Sequence, residues 1–340
     1  MAAQNWKAWV IGIDLCESAR NFARLLIDRH GIAAPVNIES LLSQYADLEV
    51  VDIPFDFDGI ALDIGNSSRP KVVINGNIPE ARRRFTAAHE LGHVIIPWHR
   101  GVFLDDIALD DSQRFANLDA YMEMERQANA FASEILMPQA WLLETMAQTR
   151  FSDLHARVID EAGVSPVAAA INIMRSLPPG HIYAVVDSSG LVLNAGRSEG
   201  TLASAPAWHE PLQAGAYDYA EDFASLKRAG RTYMWWKLPS SYDYPVESEG
   251  PPLDWRIVLD EMLADICSSP EQISAYKMKV NGVIGYVNSA CKRGANYTEG
   301  GVRAAAIQRF TGRTEYANFS AHEKFHAFVA ARVSYLFRVE

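Results

Sequence analysis

The sequence predicts an α+β fold in which two small groups of strands are set among a larger number of helices. Runs rich in Val, Ile and Leu, separated by Gly, Asn, Ser and Pro, predict three strands at residues 48–51, 59–62 and 71–75. Two further runs at residues 182–187 and 191–194, with Ser-Ser-Gly between them, predict a β-hairpin. Most of the other apolar residues recur at helical spacing, which predicts helices before, between and after these strands.

Helices are predicted on both sides of the first strand group. Residues 15–30 carry apolar side chains on one face and are followed by Gly31, which predicts an amphipathic helix with a glycine C-cap. Asn37 predicts the N-cap of a short helix that reaches Tyr45. After an acidic, irregular stretch at 105–119, further helices are predicted at residues 121–137, 152–162 and 166–177.

The helix after the third strand carries the first chemical motif. Asn77 with Glu80 predicts an N-cap and a helix that starts near Ile78, and Pro97 predicts its end near Ile96. Within it lies His-Glu-Leu-Gly-His at residues 89–93, the H-E-x-x-H pattern of zinc hydrolases.

Helical geometry gives this pattern its chemistry. Residues four apart share a face, so His89 and His93 can reach one metal ion. Glu90 lies to one flank, where it can hold a metal-bound water and serve as the catalytic base. The opposite face of the helix is apolar and can be buried: Ala87, Leu91, Val94 and Ile95.

A third protein ligand is needed, because catalytic zinc sites have three protein ligands and one open position. His99 has the metzincin spacing from His93, but those proteins need a glycine midway. That place is held here by Ile96, a β-branched residue before proline, which argues against His99.

Glu125 is the favoured third ligand, and Glu123 is the fallback. Glu125 opens an E-x-x-x-[DN] pattern on the predicted helix 121–137, about thirty residues downstream. Asn129, one turn further on, can hold the outer nitrogen of a histidine ligand. Tyr121 and His99 are candidates for a second oxyanion donor.

These two motifs resemble the ImmA/IrrE family of zinc metallopeptidases. The matching stretches are RFTAAHELGH at 84–93 and ERQANAFASEILMP at 125–138, and the resemblance covers residues 15–177. It implies a zincin-like fold, one Zn²⁺ held by His89, His93 and Glu125, and Glu90 as base. It also implies site-selective cleavage of a transcriptional repressor or a similar regulator.

The substrate is expected beside the third strand. Val73, Ile74 and Asn75 are predicted to form an edge strand next to the motif helix, where an extended peptide could pair with it. They are therefore candidate substrate-binding residues.

Three segments are predicted, with a boundary at Pro178-Pro179-Gly180. Residues 1–178 form the metallopeptidase domain, 179–245 a small mixed α/β domain, and 246–340 a helical region. Such peptidases can carry GAF or PAS domains, so by analogy the C-terminal half is expected to receive a small-molecule or protein signal. Trp235 and Trp236 lie in a predicted strand at 231–238 and are expected in its core rather than in a ligand pocket.

A second H-E-x-x-H occurs at His322–His326 and is predicted not to bind metal. Ser320 and Glu323 form a capping box, which explains the glutamate without chemistry and predicts a final helix opening at Ser320. Glu340 is the sole carboxylate downstream of the motif.

Composition restricts the location and the partners. The 340 residues are 49% hydrophobic and 21% charged, as in an ordinary globular protein. No apolar run approaches 18 residues, no secretion signal is visible, and the three cysteines lack metal or disulfide spacing, so we expect a cytoplasmic protein without membrane contact. The net charge of −11 argues against direct nucleic-acid binding, although residues 274–340 alone carry +6.

The sequence thus favours a zinc endopeptidase that cleaves a regulatory protein, with the C-terminal half governing when or on what it acts. The alternative is a zinc-containing sensor or scaffold that binds a regulator or ligand without proteolysis. An intact base and three ligands favour the enzyme.

Overall fold

The computed structural model describes residues 14–100, 111–215, 217–243, 253–294, 297–311 and 313–339. The chain divides into two compact units, Met1–Ile173 and Met174–Glu340. Each unit combines helices with a small sheet, which agrees with the predicted α+β class. The predicted division of the C-terminal half at residue 245 stays a prediction, as does its likeness to GAF or PAS domains.

The first unit contains a three-stranded sheet and several helices. In chain order its elements are α1 (Leu15–His30), α2 (Ile38–Leu42), β1 (Asp47–Val51), β2 (Gly59–Leu62), β3 (Lys71–Asn75), α3 (Glu80–Ile95), α4 (Asp111–Leu136), α5 (Gln139–Gln148) and α6 (Phe151–Ala162), and α7 (Pro166–Ser176) crosses the boundary to the second unit. Two local predictions are confirmed. Gly31 ends α1 in the left-handed conformation with φ of +60°, and Asn37 caps α2 by accepting a hydrogen bond from the Ser40 amide at 3.1 Å.

The strand order β1-β3-β2 corrects the expected place of the third strand. β3 runs parallel to β1 on one side and antiparallel to β2 on the other, so it is the central strand and not an edge. Val72 and Ile74 are fully buried on one face of β3. Among the described strands of this sheet, β2 and β1 form the edges.

The start of α3 also differs from the prediction, while its end is confirmed. α3 begins at Glu80, and Asn77 is not its N-cap. A proline disfavours helical geometry at the residue before it. Ile78 therefore stays outside the helix, and Pro79 takes the cap position. Ile96 is extended, with φ of −72° and ψ of 115°, which ends the helix before Pro97 as expected.

Helices α4 and α5 were only partly predicted. α4 begins at Asp111, ten residues before the predicted start, so the expectation of an irregular stretch is wrong from residue 111 onward; residues 105–110 lie outside the described residues. The acidic composition of this stretch therefore did not indicate a loop from residue 111 onward. α5 was not predicted at all. It starts directly after Pro138. This proline was predicted to end the preceding helix, and it also occupies the N-cap position of α5.

The second unit contains an antiparallel sheet and a group of helices. Its strands are β4 (His181–Val186), β5 (Val192–Arg197), β6 (Asp222–Arg228) and β7 (Arg231–Lys237), in the order β5-β4-β7-β6. Its helices are α8 (Trp255–Ile266), α9 (Pro270–Arg293), α10 (Glu299–Phe310), α11 (Ala317–Ser320) and α12 (Phe325–Val339), with a 3-10 helix at Thr314–Tyr316. Four phenylalanines in the core of this helical group are fully buried: Phe310, Phe319, Phe325 and Phe328.

The predicted helix opening at Ser320 is wrong. Ser320 ends α11, its hydroxyl donates to the Tyr316 carbonyl at 3.0 Å, and α12 begins only at Phe325. His322 supplies a local contact instead, because its Nδ1 accepts a hydrogen bond from the Lys324 amide at 3.1 Å. None of the described helices has the length and apolar character needed to cross a membrane.

Candidate metal centre

The close approach of α3 and α4 brings the two motifs together. Gly92 faces α4, and a Cβ at this position would lie 3.2 Å from Phe131 Cδ1 and 3.3 Å from Ala128 Cα. Any larger residue would therefore push the helices apart. The glycine inside the first motif thus sets the helix spacing at which Glu125 can reach the histidines.

Three side chains converge at this crossing. Glu125 Oε2 lies 3.0 Å from His89 Nε2, and Glu125 Oε1 lies 3.3 Å from His93 Nε2. The two histidine Nε2 atoms are 3.0 Å apart. One ligand atom from each of the three residues lies within 4.8 Å of the others, and within the described ranges this is the group of His, Cys, Asp and Glu residues that could hold a metal ion.

The donor set fits a zinc ion. Two imidazole nitrogens and one carboxylate oxygen are ligands that zinc accepts, and three of them leave a fourth position open. The two ring nitrogens lie 3.0 Å apart with the Glu125 carboxylate beside both, so the three ligand atoms surround one point at which a cation can be held.

The outer nitrogens of the two histidines have different partners. His89 Nδ1 lies 3.0 Å from Asn129 Oδ1, the contact that the second motif predicted. His93 Nδ1 lies 3.0 Å from Nδ1 of His99, which sequence reasoning considered only as a metal ligand or an oxyanion donor. His99 is 1% exposed and its other nitrogen contacts Gln127, so it does not reach the metal cluster or the cleft.

The fallback ligand lies away from the cluster. Glu123 accepts hydrogen bonds from Arg126 Nε at 3.0 Å and from Gln127 Nε2 at 3.3 Å. Two contacts along its own helix hold its carboxylate, and it is not a member of the metal-capable group.

Glu90 lies beside the cluster with 6% of its surface exposed. Burial raises the pKa of its carboxyl, against the charges of His89 and His93 and a hydrogen bond with the Ala61 backbone. The strand β2 can pass this close because residue 59 is glycine: a Cβ there would meet Thr86 Cγ2 at 2.5 Å and Glu90 Oε1 at 3.5 Å.

Charge within the cluster is strongly polarised. Burial raises the pKa of Glu125, but hydrogen bonds and charge from His89 and His93 outweigh it and hold the pKa well below its usual range. Burial lowers the pKa of His89, but the Glu125 hydrogen bond and the charges of Glu90 and Glu125 outweigh it, so the net shift is upward. The carboxylates therefore make this place attractive to a cation.

The cluster opens into a cleft of about 620 Å³. β2 lines this cleft through Gly59, Ile60 and Ala61, and Phe85 and Tyr121 are also among the lining residues. Tyr121 is thus placed at the cleft as an oxyanion candidate requires.

The three predicted substrate-binding residues do not line this cleft. Val73, Ile74 and Asn75 belong to the central strand β3, whose two edges are already paired. Asn75 is buried and has a structural task instead: its side-chain amide donates to the carbonyls of Ile53 and Phe57 at 3.2 and 2.8 Å. It thereby fixes the loop between β1 and β2. Among the described strands, the sheet edge beside the cluster belongs to β2.

The second H-E-x-x-H pattern forms no comparable cluster. His322 lies in the turn before α12 and its Nε2 is 3.2 Å from Asp265 Oδ2, whereas His326 lies on the helix and stacks on Tyr242 at 5.3 Å. The two histidines are therefore not one turn apart on a common helix, as metal binding would require.

Fold and cluster together define a metallopeptidase-type domain, and the comparisons with known proteins agree. Residues 43–174 match the family Peptidase_M78, described as the IrrE N-terminal-like domain. The predicted resemblance to the ImmA/IrrE family is confirmed over this part of the chain.

Two individual proteins show the extent of the similarity. A segment of 82 residues is 34% identical to "Uncharacterized immunity region protein 2" of Bacillus phage phi105; the match covers 24% of this chain and 46% of that relative, less than half of its length. Among solved structures, a "Mycobacterium tuberculosis transcriptional regulator" is similar over 70% of this chain and 78% of its own, with 14% identity and a TM-score of 0.37.

Proposed function

We propose that the protein is a zinc-dependent endopeptidase that makes site-selective cuts in a regulatory protein such as a transcriptional repressor. The observation that carries the proposal is the convergence of His89, His93 and Glu125 beside the buried carboxylate of Glu90, at the base of an open cleft. The regulatory substrate is inferred from the resemblance to the ImmA/IrrE family.

His89, His93 and Glu125 would hold the ion. A bound zinc supplies two things in such sites: it lowers the pKa of a water and polarises the carbonyl that is attacked. Glu90 accepts the proton of the attacking water at its carboxylate and then donates it to the departing amine. We propose that the hydrogen bond between Glu90 and the Ala61 backbone helps to orient the carboxylate.

We propose β2 as the strand that positions the substrate. It lies at the edge of the sheet among the described strands and lines the cleft through Gly59, Ile60 and Ala61. An extended peptide that adds to this edge runs past Glu90 with its scissile bond near the metal cluster. The second unit is proposed to act in signal sensing or substrate docking.

Replacement of Glu90 by Gln tests the proposal. This change keeps the shape of the side chain but removes its ability to accept a proton. The proteomes of cells carrying wild type, Glu90→Gln and the exposed control Glu144→Gln are compared after induction. We expect a defined fragment of a regulator with wild type and the control, none with Glu90→Gln, and one bound zinc in all three.

Two results would contradict the proposal. Cleavage that persists in Glu90→Gln would remove the base from the mechanism. A wild-type protein that binds zinc and captures a regulator without cutting it would favour the scaffold function.

A further inference from the structure

We propose that His99 and Gln127 are positioning residues that fix the tautomer of His93, so that its Nε2 lone pair faces the metal cluster. The inference rests on the proposed role of His93 as a metal ligand. It assigns a function to His99, which the site as described above leaves without one.

The contact between the two histidine rings has an ambiguity that an amide contact lacks. His93 Nδ1 and His99 Nδ1 are 3.0 Å apart, so one of these nitrogens carries the hydrogen and the other accepts it. If His99 donated, His93 would carry its own hydrogen on Nε2, directed at His89 and Glu125, and that nitrogen could not bind a metal. By contrast, Asn129 Oδ1 can only accept, and its contact with His89 is unambiguous.

Gln127 resolves the ambiguity through the far side of the His99 ring. Its Oε1 lies 3.0 Å from His99 Nε2. An amide oxygen only accepts, so His99 must carry its hydrogen on Nε2. The His99 tautomer with its hydrogen on Nε2 has a bare Nδ1, which can only accept from His93. His93 therefore donates from Nδ1, and its Nε2 carries a lone pair that faces His89 and Glu125.

Two further contacts fix which end of the Gln127 amide faces His99. Trp98 Nε1 lies 2.7 Å from Gln127 Oε1, and an indole N–H can only donate, so that atom is the oxygen. Gln127 Nε2 in turn donates to Glu123 Oε1 at 3.3 Å. Gln127 is 1% exposed and lies two residues from Glu125 on α4, so the helix that supplies the carboxylate ligand also orients the second histidine.

The first test reads the tautomer in the metal-free protein by ¹⁵N NMR of the histidine rings. In wild type we expect the hydrogen of His93 on Nδ1 and that of His99 on Nε2. Gln127→Met keeps the length of the side chain and removes the acceptor, so both rings should become mixtures of tautomers. Gln148→Met, at an exposed glutamine of α5, is the matched control and should leave both signals unchanged.

The second test is zinc affinity, measured by competition with a chromogenic chelator. We expect about a 10- to 100-fold loss in Gln127→Met, the usual effect of removing an outer partner of a ligand, and no loss in the control. Trp98→Phe keeps the edge contact with Phe22 and loses only the indole donor, so a smaller loss in the same direction is expected. This variant covers the case in which Gln127→Met fails to fold.

The outcomes separate this inference from the proposed function. A wild-type His93 that carries its hydrogen on Nε2 overturns the proposed role of His99 and Gln127. Variants that keep both the wild-type tautomer and the wild-type zinc affinity also overturn it. A wild-type protein that binds no zinc refutes the proposed function. The His93 tautomer in wild type and in Gln127→Met then remains as the test of the role of His99 and Gln127.

Discussion

The chain contains the same five-residue pattern twice, and the two copies have different structures. At residues 89–93 the pattern lies within one helix, both histidines direct Nε2 to a common point, and Glu125 approaches from a second helix. At residues 322–326 the first histidine lies in a turn, the second lies on α12, and the nearest acidic contact is the exposed Asp265.

The comparison shows that the pattern becomes a site only through its surroundings. The first copy has a glycine that admits a partner helix, hydrogen-bond partners behind both rings and an open cleft in front. The second copy is part of the packing of the helical core, where Phe325 and Phe328 determine the path of the chain. Matched changes at the two copies can test this difference.

The largest expected effect is the loss of the carboxylate ligand. Glu125→Gln should weaken zinc binding by more than about 100-fold, because even outer partners of a ligand cost about 10- to 100-fold. Asp265→Asn, which changes the carboxylate beside His322, should leave affinity and stoichiometry as in wild type. Zinc content after dialysis and chelator competition measure both.

The double variant His322→Ala, His326→Ala serves as the control for the tail copy. It should also retain one zinc per chain. Loss of one equivalent in that variant, or full retention in Glu125→Gln, would remove the distinction between the two copies.

A smaller effect is expected from adding one methyl group at the helix crossing. Gly92→Ala should cost about 1–3 kcal/mol in the free energy of unfolding, because its Cβ meets Ala128 and Phe131 at 3.2–3.3 Å. It should also weaken zinc binding, since α4 carries Glu125. Gly282→Ala is the matched control: this exposed glycine lies inside α9 with open space around it, so alanine should stabilise by up to about 1 kcal/mol. Urea unfolding compares the two, and equal effects would contradict the packing argument.

Local signals allowed much of the first site to be predicted. The approach of Glu125 and Asn129 from a second helix was predicted from the second motif and not from a local signal. The C-terminal ends of α1 and α3 and the shared face of His89 and His93 follow from caps, proline and helical spacing, which act within a few residues. The same kind of signal failed in the tail, where the capping pattern at Ser320 was overridden by the burial of Phe319 and Phe325.

The missing parts depend on contacts between distant segments. The central place of β3 follows from pairing with both β1 and β2, and strand order has no local sequence signal. The contacts of His93 with His99 and of His99 with Gln127 depend on how α4 packs, because Gln127 is 28 residues from His99. The sequence offered one signal for these contacts: Gln127, which lies on the same helix as Glu125. Glutamine is too common in helices for this position to be distinctive.

The smallest expected effect concerns protonation of the tail copy. His326 Nδ1 is buried and, within the described residues, has no hydrogen-bond partner, and burial lowers the pKa of this ring. The pKa of His326 in the folded protein is below its unfolded value near 6.5, so the fold favours the neutral ring. The stability that this ring contributes is therefore fully present above pH 6.5 and is lost as the pH falls below it. Wild type should therefore lose more stability than His326→Phe between pH 7.5 and 5, by less than about 1 kcal/mol since the ring is partly solvent-screened. Urea unfolding of both proteins at each pH measures the difference. The other histidines are the same in both proteins, so their effects cancel. A difference that does not change with pH would show that burial does not shift the protonation of His326.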